Sequence, residues 1–314
     1  MTSSALWCVA PEKSEIRPGE LGRGTPVKTR FSAISRGTER LVSMGRVPED
    51  QYDIMRAPYQ EGAFPFPVKY GYAAVGVVED GPLAETAVFA LVPHQTRFAI
   101  PQEHLHPLPQ DVPPERAILA ANMETALNVI WDGGVSAGDR VAVIGAGVVG
   151  ALAGYLAARL PGADATLVDV SPARASLARA LGCDFCSPET APEACDVVIH
   201  ASATSDGLAT ALRCAGAEAR IVEASWYGAG DVAAPLGAAF HSQRLQLISS
   251  QVGALPPGRR PRWSHKRRLT KALELLKDPV LDTLISGETG FRDLPKTYAE
   301  ILASPDTLCH RIVY

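Results

Sequence analysis

The residues whose types and spacing could do chemistry lie in the run Asp139-Arg-Val-Ala-Val-Ile-Gly-Ala-Gly-Val-Val-Gly150. Gly145, Gly147 and Gly150 form GxGxxG, directly after the apolar stretch 140–144 and ahead of an Ala- and Leu-rich stretch over 151–160. In a strand–turn–helix context each glycine has a task. Gly145 turns the chain out of the strand, Gly147 lets backbone amides approach a pyrophosphate, and Gly150 allows the helix to pack close to the sheet. The N-terminus of the helix that follows would face the phosphates with unpaired N–H groups and the positive end of its dipole, with Val148 and Val149 of the turn among the cofactor contacts. A second apolar run, Ala165-Thr-Leu-Val, ends on Asp169, about twenty residues further on. A carboxylate there accepts hydrogen bonds from the adenosine ribose hydroxyls. Strand, turn, helix, strand and acid in this order imply a nicotinamide or flavin dinucleotide; glycines kept only for packing are the alternative. Asp169 would repel a 2′-phosphate, so NAD is expected over NADP. Arg174 could soften that repulsion, or lie on the helix opened by Ser171-Pro172.

These residues need a framework, and the sequence from 140 onward supplies one. Apolar strand-like runs at 182–186, 196–200, 219–223 and 245–249 follow the first two, separated by helical segments. Six strands alternating with helices predict an α/β fold with a doubly wound parallel sheet. Residues 1–110 are different: rich in Pro and Gly, with short alternating runs such as Val27-Lys-Thr-Arg-Phe31 and 73–79. They read as a compact irregular β-domain. The tail over 288–314 returns to short strands. The expected division is a β-domain over 1–122 completed by 254–314, and a dinucleotide domain over 123–253, with ligands bound in a cleft at the carboxyl ends of the parallel strands.

Composition removes several classes. The chain has 314 residues and a formal charge of −4, with a pI near 6.0, which argues against a nucleic-acid surface spread over the whole molecule. No apolar run approaches the ~20 residues of a membrane helix, and the first residues lack a signal peptide's basic start and apolar core. A cytoplasmic protein without membrane or nucleic-acid partners is expected. The six cysteines, at 8, 183, 186, 195, 214 and 309, include one CxxC pair, Cys183 and Cys186. With no second pair or histidines at usable spacing, it reads as buried small hydrophobes, not a metal site. His94, His104 and His106 read as ordinary surface or core histidines, with His104 and His106 sharing a strand face. Lys69 is expected to face solvent.

Further segments carry a family resemblance. Ala33-Ile-Ser-Arg-Gly-Thr-Glu39, Val68-Lys-Tyr-Gly-Tyr-Ala-Ala-Val-Gly-Val-Val78, Asn122-Met-Glu-Thr-Ala-Leu127 and the closing His310-Arg-Ile-Val313 occur in order around the glycine turn. Together they resemble the medium-chain dehydrogenase/reductase superfamily, the alcohol dehydrogenase and quinone reductase group, over nearly the whole chain. The resemblance implies a GroES-like β-domain plus a Rossmann domain, and hydride transfer to or from an alcohol, carbonyl or activated alkene. Its zinc-containing members place thiolate, imidazole and a further thiolate or carboxylate around the metal. Here those places hold Arg36 or Ser35, then Tyr72 followed by Ala73, then Asn122, Met123 and Glu124. A zinc-free member is expected, similar to the branch that includes the dehydrogenase of the bacteriochlorophyllide hydroxyethyl group.

Carried onto this chain, the resemblance implies a site made of Tyr72, Arg36, Thr38 and Glu124. Tyr72 takes the imidazole's place and could hydrogen-bond a carbonyl or relay a proton; it could equally fill the space of the metal. Arg36 could supply a fixed positive charge, or pair with Glu39 or Glu124. Thr38 matches a proton-passing hydroxyl, and Thr125 a contact to the nicotinamide side of the cofactor. Between Arg259 and Arg268 six of ten residues are basic, which reads as a solvated loop or, if functional, as a sign of an anionic small-molecule substrate. The edge strand 245–249 implies a homodimer. A quinone- or enoyl-type reductase and a non-catalytic dinucleotide-binding relative are the alternatives.

Overall fold

The computed structural model describes residues 2–314 and divides into two compact units. One comprises the chain up to Ala121 together with Leu273–Tyr314, and the other Asn122–Ala272.

The second unit is built on the run Val141–Ile144, whose side chains are all buried, as a strand covered on both faces requires. Six strands lie in the order Asp184–Cys186, Asp164–Val168, Arg140–Ile144, Cys195–His200, Ala215–Glu223 and Gln246–Ser249. Every neighbouring pair is parallel. This is the doubly wound sheet the sequence predicted. The registers align Val168, Ile144, His200, Glu223 and Ser249 along its carboxyl edge. The helix after the first strand spans Val148–Ala157 and so starts inside the glycine motif, ahead of the expected 151. It packs close to the sheet because its glycines permit it: a Cβ on Gly154 would come within 2.6 Å of a Leu167 methyl. Thr204 caps the helix Ser205–Cys214 by accepting the Gly207 N–H, a contact worth about 1 kcal/mol. The unit runs to Ala272, beyond the expected end at 253. The helix His265–Leu275 carries Arg268, whose side chain is fixed inside this unit.

The first unit holds two sheets. The smaller runs Lys13–Glu20, Thr2–Ala10, Val68–Lys69 and Glu61–Gly62. In the larger, the long strand Thr25–Ser35 lies between Ala74–Val78 and the C-terminal strand Cys309–Val313, which pairs with it antiparallel. Arg116 fastens the two chain segments of this unit. It forms a two-pronged ion pair with Asp282, both contacts 2.7 Å, and donates to the carbonyls of Leu276 and Lys277.

Two expectations need correction here. Lys69 is buried, because Glu61 and Gln95 satisfy its ammonium. His104 and His106 do not share a strand: His104 ends a 3-10 turn over Gln102–His104, and only His106 enters a strand. His94 is a core residue, but one with two polar partners described below. Cys183 is buried and Cys186 half-buried. Burial raises both thiols, Cys183 to about 11, so they carry protons at neutral pH.

Candidate active site

In the Rossmann unit the glycine turn has the shape its residues dictate. Gly145 has φ +101°, a conformation open to glycine. A Cβ on Gly150 would lie 2.0 Å from the Gly145 carbonyl oxygen, whereas one on Gly147 would meet nothing within 4 Å. One glycine therefore closes helix against turn, and the other leaves space in front of the helix N-terminus at Val148 and Val149. Asp169 sits one residue beyond its strand. Its carboxylate accepts the Ala146 N–H at 2.7 Å and the Ser171 N–H at 2.8 Å. A carboxylate offers about four lone-pair directions, so two remain for ribose hydroxyls. Arg174 opens the helix Arg174–Leu181 and is half-buried. Gly cradle, helix end and acid fit a dinucleotide.

Thr125 and Glu124 lie on the helix Ala120–Gly133. Glu124 is buried and meets Arg268 at 3.0 Å; Arg268 is also buried and donates to Asn128 Oδ1 and the Val252 carbonyl. Burial pushes the Glu124 carboxyl up, tempered by the Arg268 charge and hydrogen bond. The anticipated partner, Arg36, is thus replaced by a residue of the same unit, and the expected solvated loop is corrected at Arg268. Two further arginines of that basic run stack on indoles. Arg259 lies over Trp131 and Arg267 over Trp263, the two indoles 4.7 Å apart.

In the first unit, the helix Arg36–Ser43 begins where the strand Thr25–Ser35 ends. This junction brings together Ser35, Thr38 and Tyr72. The half-buried Tyr72 phenol is pushed up to about 12 by burial, partly offset by hydrogen bonds with the Ser35 and Thr38 hydroxyls. It is therefore neutral at pH 7 and able to donate. Arg36 donates through Nε to the Leu302 carbonyl at 3.2 Å and through Nη2 to that of Ala303, at the C-terminal end of the helix Leu294–Ala303, where a cation is favoured.

Glu39 is fully buried and accepts from the Ser35 N–H at 2.7 Å, His94 Nε2 at 2.9 Å and the Tyr298 hydroxyl at 2.7 Å. His94 Nδ1 continues to Ser32 Oγ at 2.8 Å, and Ser32 to the Tyr314 hydroxyl. The network fixes the strand–helix junction from which Ser35 and Thr38 reach Tyr72. Sequence reasoning missed His94 and Tyr298, which stand 55 and 259 residues from Glu39 and carry no local signal.

In the first unit Arg36 is cationic and Tyr72 holds its proton; in the second, Glu124 is engaged by Arg268. Among the described residues, no group of three or more His, Cys, Asp and Glu could hold a metal ion. No helix among them is long and apolar enough to cross a membrane.

No family model matches the chain. In sequence it is 28% identical over 237 residues to D-guloside 3-dehydrogenase of Escherichia coli (strain K12). That match covers 70% of this chain and 65% of the relative, so it spans less than two thirds of the relative's length. In structure the chain is similar to L-idonate 5-dehydrogenase from Escherichia coli str. K-12 substr. MG1655. The TM-score is 0.81 at 15% identity, covering 100% of this chain and 99% of that one. It is also similar to a protein of Sinorhizobium meliloti 1021, named as a zinc-binding dehydrogenase and bound to NADP. There the TM-score is 0.79 at 16% identity, with both chains covered in full. The fold is that of these dehydrogenases, a GroES-like domain with a Rossmann domain.

Proposed function

We propose that the chain is a nicotinamide-dinucleotide-dependent oxidoreductase that interconverts a hydroxyl and a carbonyl on a sugar-like substrate, without zinc and with NAD(H) preferred. The observation that carries the reading is the glycine turn, with its 2.0 Å approach at Gly150, the open space at Gly147 and Asp169 bonded to Ala146. The D-guloside and L-idonate names of its relatives favour a polyhydroxylated substrate over the bacteriochlorophyllide branch.

A bound nicotinamide supplies or accepts the hydride. Gly145, Gly147, Gly150, Val148 and Val149 would hold its pyrophosphate through backbone N–H groups. Asp169 would bind the ribose hydroxyls, with Arg174 and Thr125 as further contacts. NADP in the Sinorhizobium neighbour makes the NAD preference a point for measurement. Tyr72, neutral at pH 7, would pass its phenol proton to the carbonyl oxygen in reduction and regain one through the Ser35 and Thr38 hydroxyls; in oxidation it would pass its proton to those hydroxyls as it takes the proton of the substrate alcohol. Arg36 would add a fixed positive charge. Glu124, held by Arg268, would position the helix that carries Thr125.

Tyr72→Phe is expected to lower turnover about 100-fold, a modest general-acid contribution, with NADH affinity unchanged. Unchanged turnover would remove Tyr72 from the chemistry. Parallel NADH and NADPH fluorescence titrations on metal-analysed protein test the cofactor half: tighter NADH binding without stoichiometric zinc is expected, and binding of neither overturns the reading.

Assembly and compartment belong to the same proposal: a cytoplasmic homodimer. The sheet ends on Gln246–Ser249, an open edge with Leu247 exposed, and such edges invite pairing. Light scattering should give twice the chain mass; a monomer at micromolar concentration overturns the dimer.

A further inference from the structure

A second constellation lies at the carboxyl edge of the Rossmann sheet. His200 ends the strand Cys195–His200, and its register partner Glu223 ends the neighbouring strand. His200 is fully buried. Its Nδ1 lies 2.7 Å from Glu223 Oε2, and its Nε2 lies 2.7 Å from Ser202 Oγ. Ser202 is half-exposed, in the turn that leads from this strand into the helix Ser205–Cys214.

The neighbours fix the direction of the protons. Burial raises the Glu223 carboxyl, but hydrogen bonds and charge from His200, with hydrogen bonds from Ser225, bring it below its ordinary value. It is an ionised acceptor of hydrogen bonds from the Tyr227 hydroxyl at 2.9 Å and the Ser225 N–H at 2.8 Å. An acceptor there requires the imidazole proton on Nδ1 and leaves Nε2 to accept from Ser202. Thr204 Oγ1, 3.0 Å from Ser202 Oγ, completes the chain.

Two backbone features keep this arrangement. A Cβ on Gly207 would lie 2.0 Å from Ser202 Oγ and 2.7 Å from His200 Nε2, so any other residue would occupy the place of that hydrogen bond. Ala203, a non-glycine residue at φ +55°, is held there by its N–H donating to Ser225 Oγ. A positive-φ residue costs energy unless its surroundings enforce it, and such residues gather at functional turns.

We propose that Ser202, His200 and Glu223 form an acyl-transfer site for small carboxylic esters, set beside the Gly145 turn at the carboxyl edge of the sheet, where a Cβ on Gly145 would lie 2.8 Å from the Ser202 N; its chemistry does not rest on the hydride reading. A nucleophile hydrogen-bonded to a base that a third group orients is the signature of such sites whatever the fold. Ser202 is the nucleophile, His200 the general base and Glu223 the positioning residue. Ser202 Oγ bonds to the acyl carbon as its proton passes to Nε2. The ester C–O bond breaks, and the Nε2 proton leaves with the alkoxide. A water then attacks the acyl-serine, giving its proton to Nε2; the carboxylic acid departs and Ser202 recovers its proton. The helix Ser205–Cys214 begins three residues after Ser202, so the positive end of its dipole would favour the developing oxyanion, while its Gly207 N–H is already given to Thr204 Oγ1.

The test is p-nitrophenyl acetate with the full chain, followed by stopped-flow absorbance and peptide mass spectrometry. A burst approaching one p-nitrophenolate per chain is expected, with the acetyl group on Ser202. Ser202→Ala should slow acylation about 100-fold or more with an unchanged unfolding midpoint, and Ser202→Cys should retain it. A purely structural network would give the same unfolding midpoints without an acetyl-serine. Wild-type acylation in Ser202→Ala, or acetylation only at other residues, overturns the proposal.

Discussion

Gly150→Ala is expected to lower the unfolding midpoint by about 6–12 °C and to remove tight dinucleotide binding. The added methyl would stand 2.0 Å from the Gly145 carbonyl oxygen and 3.3 Å from a Val143 methyl. Neither the backbone oxygen nor the central strand can move far, because Gly145 donates to the Val168 carbonyl and Val143 is wholly buried. The helix must back away. Overpacking of this kind costs about 3 kcal/mol, and each kcal/mol moves the midpoint of a domain this size by about 2–4 °C. The retreat also takes the Val148 and Val149 amides out of reach of a phosphate. Gly147→Ala is the matched control: its Cβ meets no protein atom within 4 Å, so stability should hold while dinucleotide affinity falls. Calorimetry and an NADH titration on both variants decide the matter. Equal midpoints and affinities in Gly150→Ala would mean that the turn is not a phosphate cradle.

Arg268→Ala should destabilise the protein by about 3–5 kcal/mol at pH 7, the cost of stranding a buried charge. Glu124, Asn128 and the Val252 carbonyl all lose their donor. The pH dependence has a definite sign. Burial already raises the Glu124 carboxyl against the offset from Arg268, and without the guanidinium it rises further. A carboxyl with a folded-state value above its unfolded one adds stability below the unfolded value. That contribution is lost as pH climbs through the folded value. The gap in unfolding midpoint between wild type and Arg268→Ala should therefore be wider at pH 7 than at pH 5. Glu124→Gln combined with Arg268→Met should recover part of the loss, because it removes both charges together. A gap independent of pH would show that Glu124 is not the stranded group.

Legibility in the sequence followed the range of the interactions. Rossmann strands, glycine turn and Asp169 could be read because their signals are local: a buried apolar run, a fixed glycine spacing, an acid one strand away. The helix start at Val148 was displaced by a few residues, as the turn itself supplies its first residues. Residues whose state is set from afar were misread. Lys69 looks like a solvent-facing lysine until Glu61 arrives from the neighbouring strand and Gln95 from the segment before Arg97–Ile100. Arg268 sits in a basic run that reads as wet surface, yet its carboxylate partner lies 144 residues earlier. Tyr72, Ser35 and Thr38 could be singled out, but the Glu39–His94–Tyr298 support beneath them could not. It depends on the C-terminal segment folding back beside the first strands.

That return of the chain bears on the order in which a ribosome can deliver a working protein. The Rossmann unit is one unbroken segment, Asn122–Ala272, and all its contacts are available once residue 272 has emerged. The unit containing Thr25–Ser35 lacks its strand Cys309–Val313, and the Asp282 that Arg116 grips, until the segment after the Rossmann unit has been made. Domains tend to fold as they are completed during synthesis. Here the part made second should mature first, with the strand Thr25–Ser35 waiting, one edge unpaired, for Cys309–Val313 to be added.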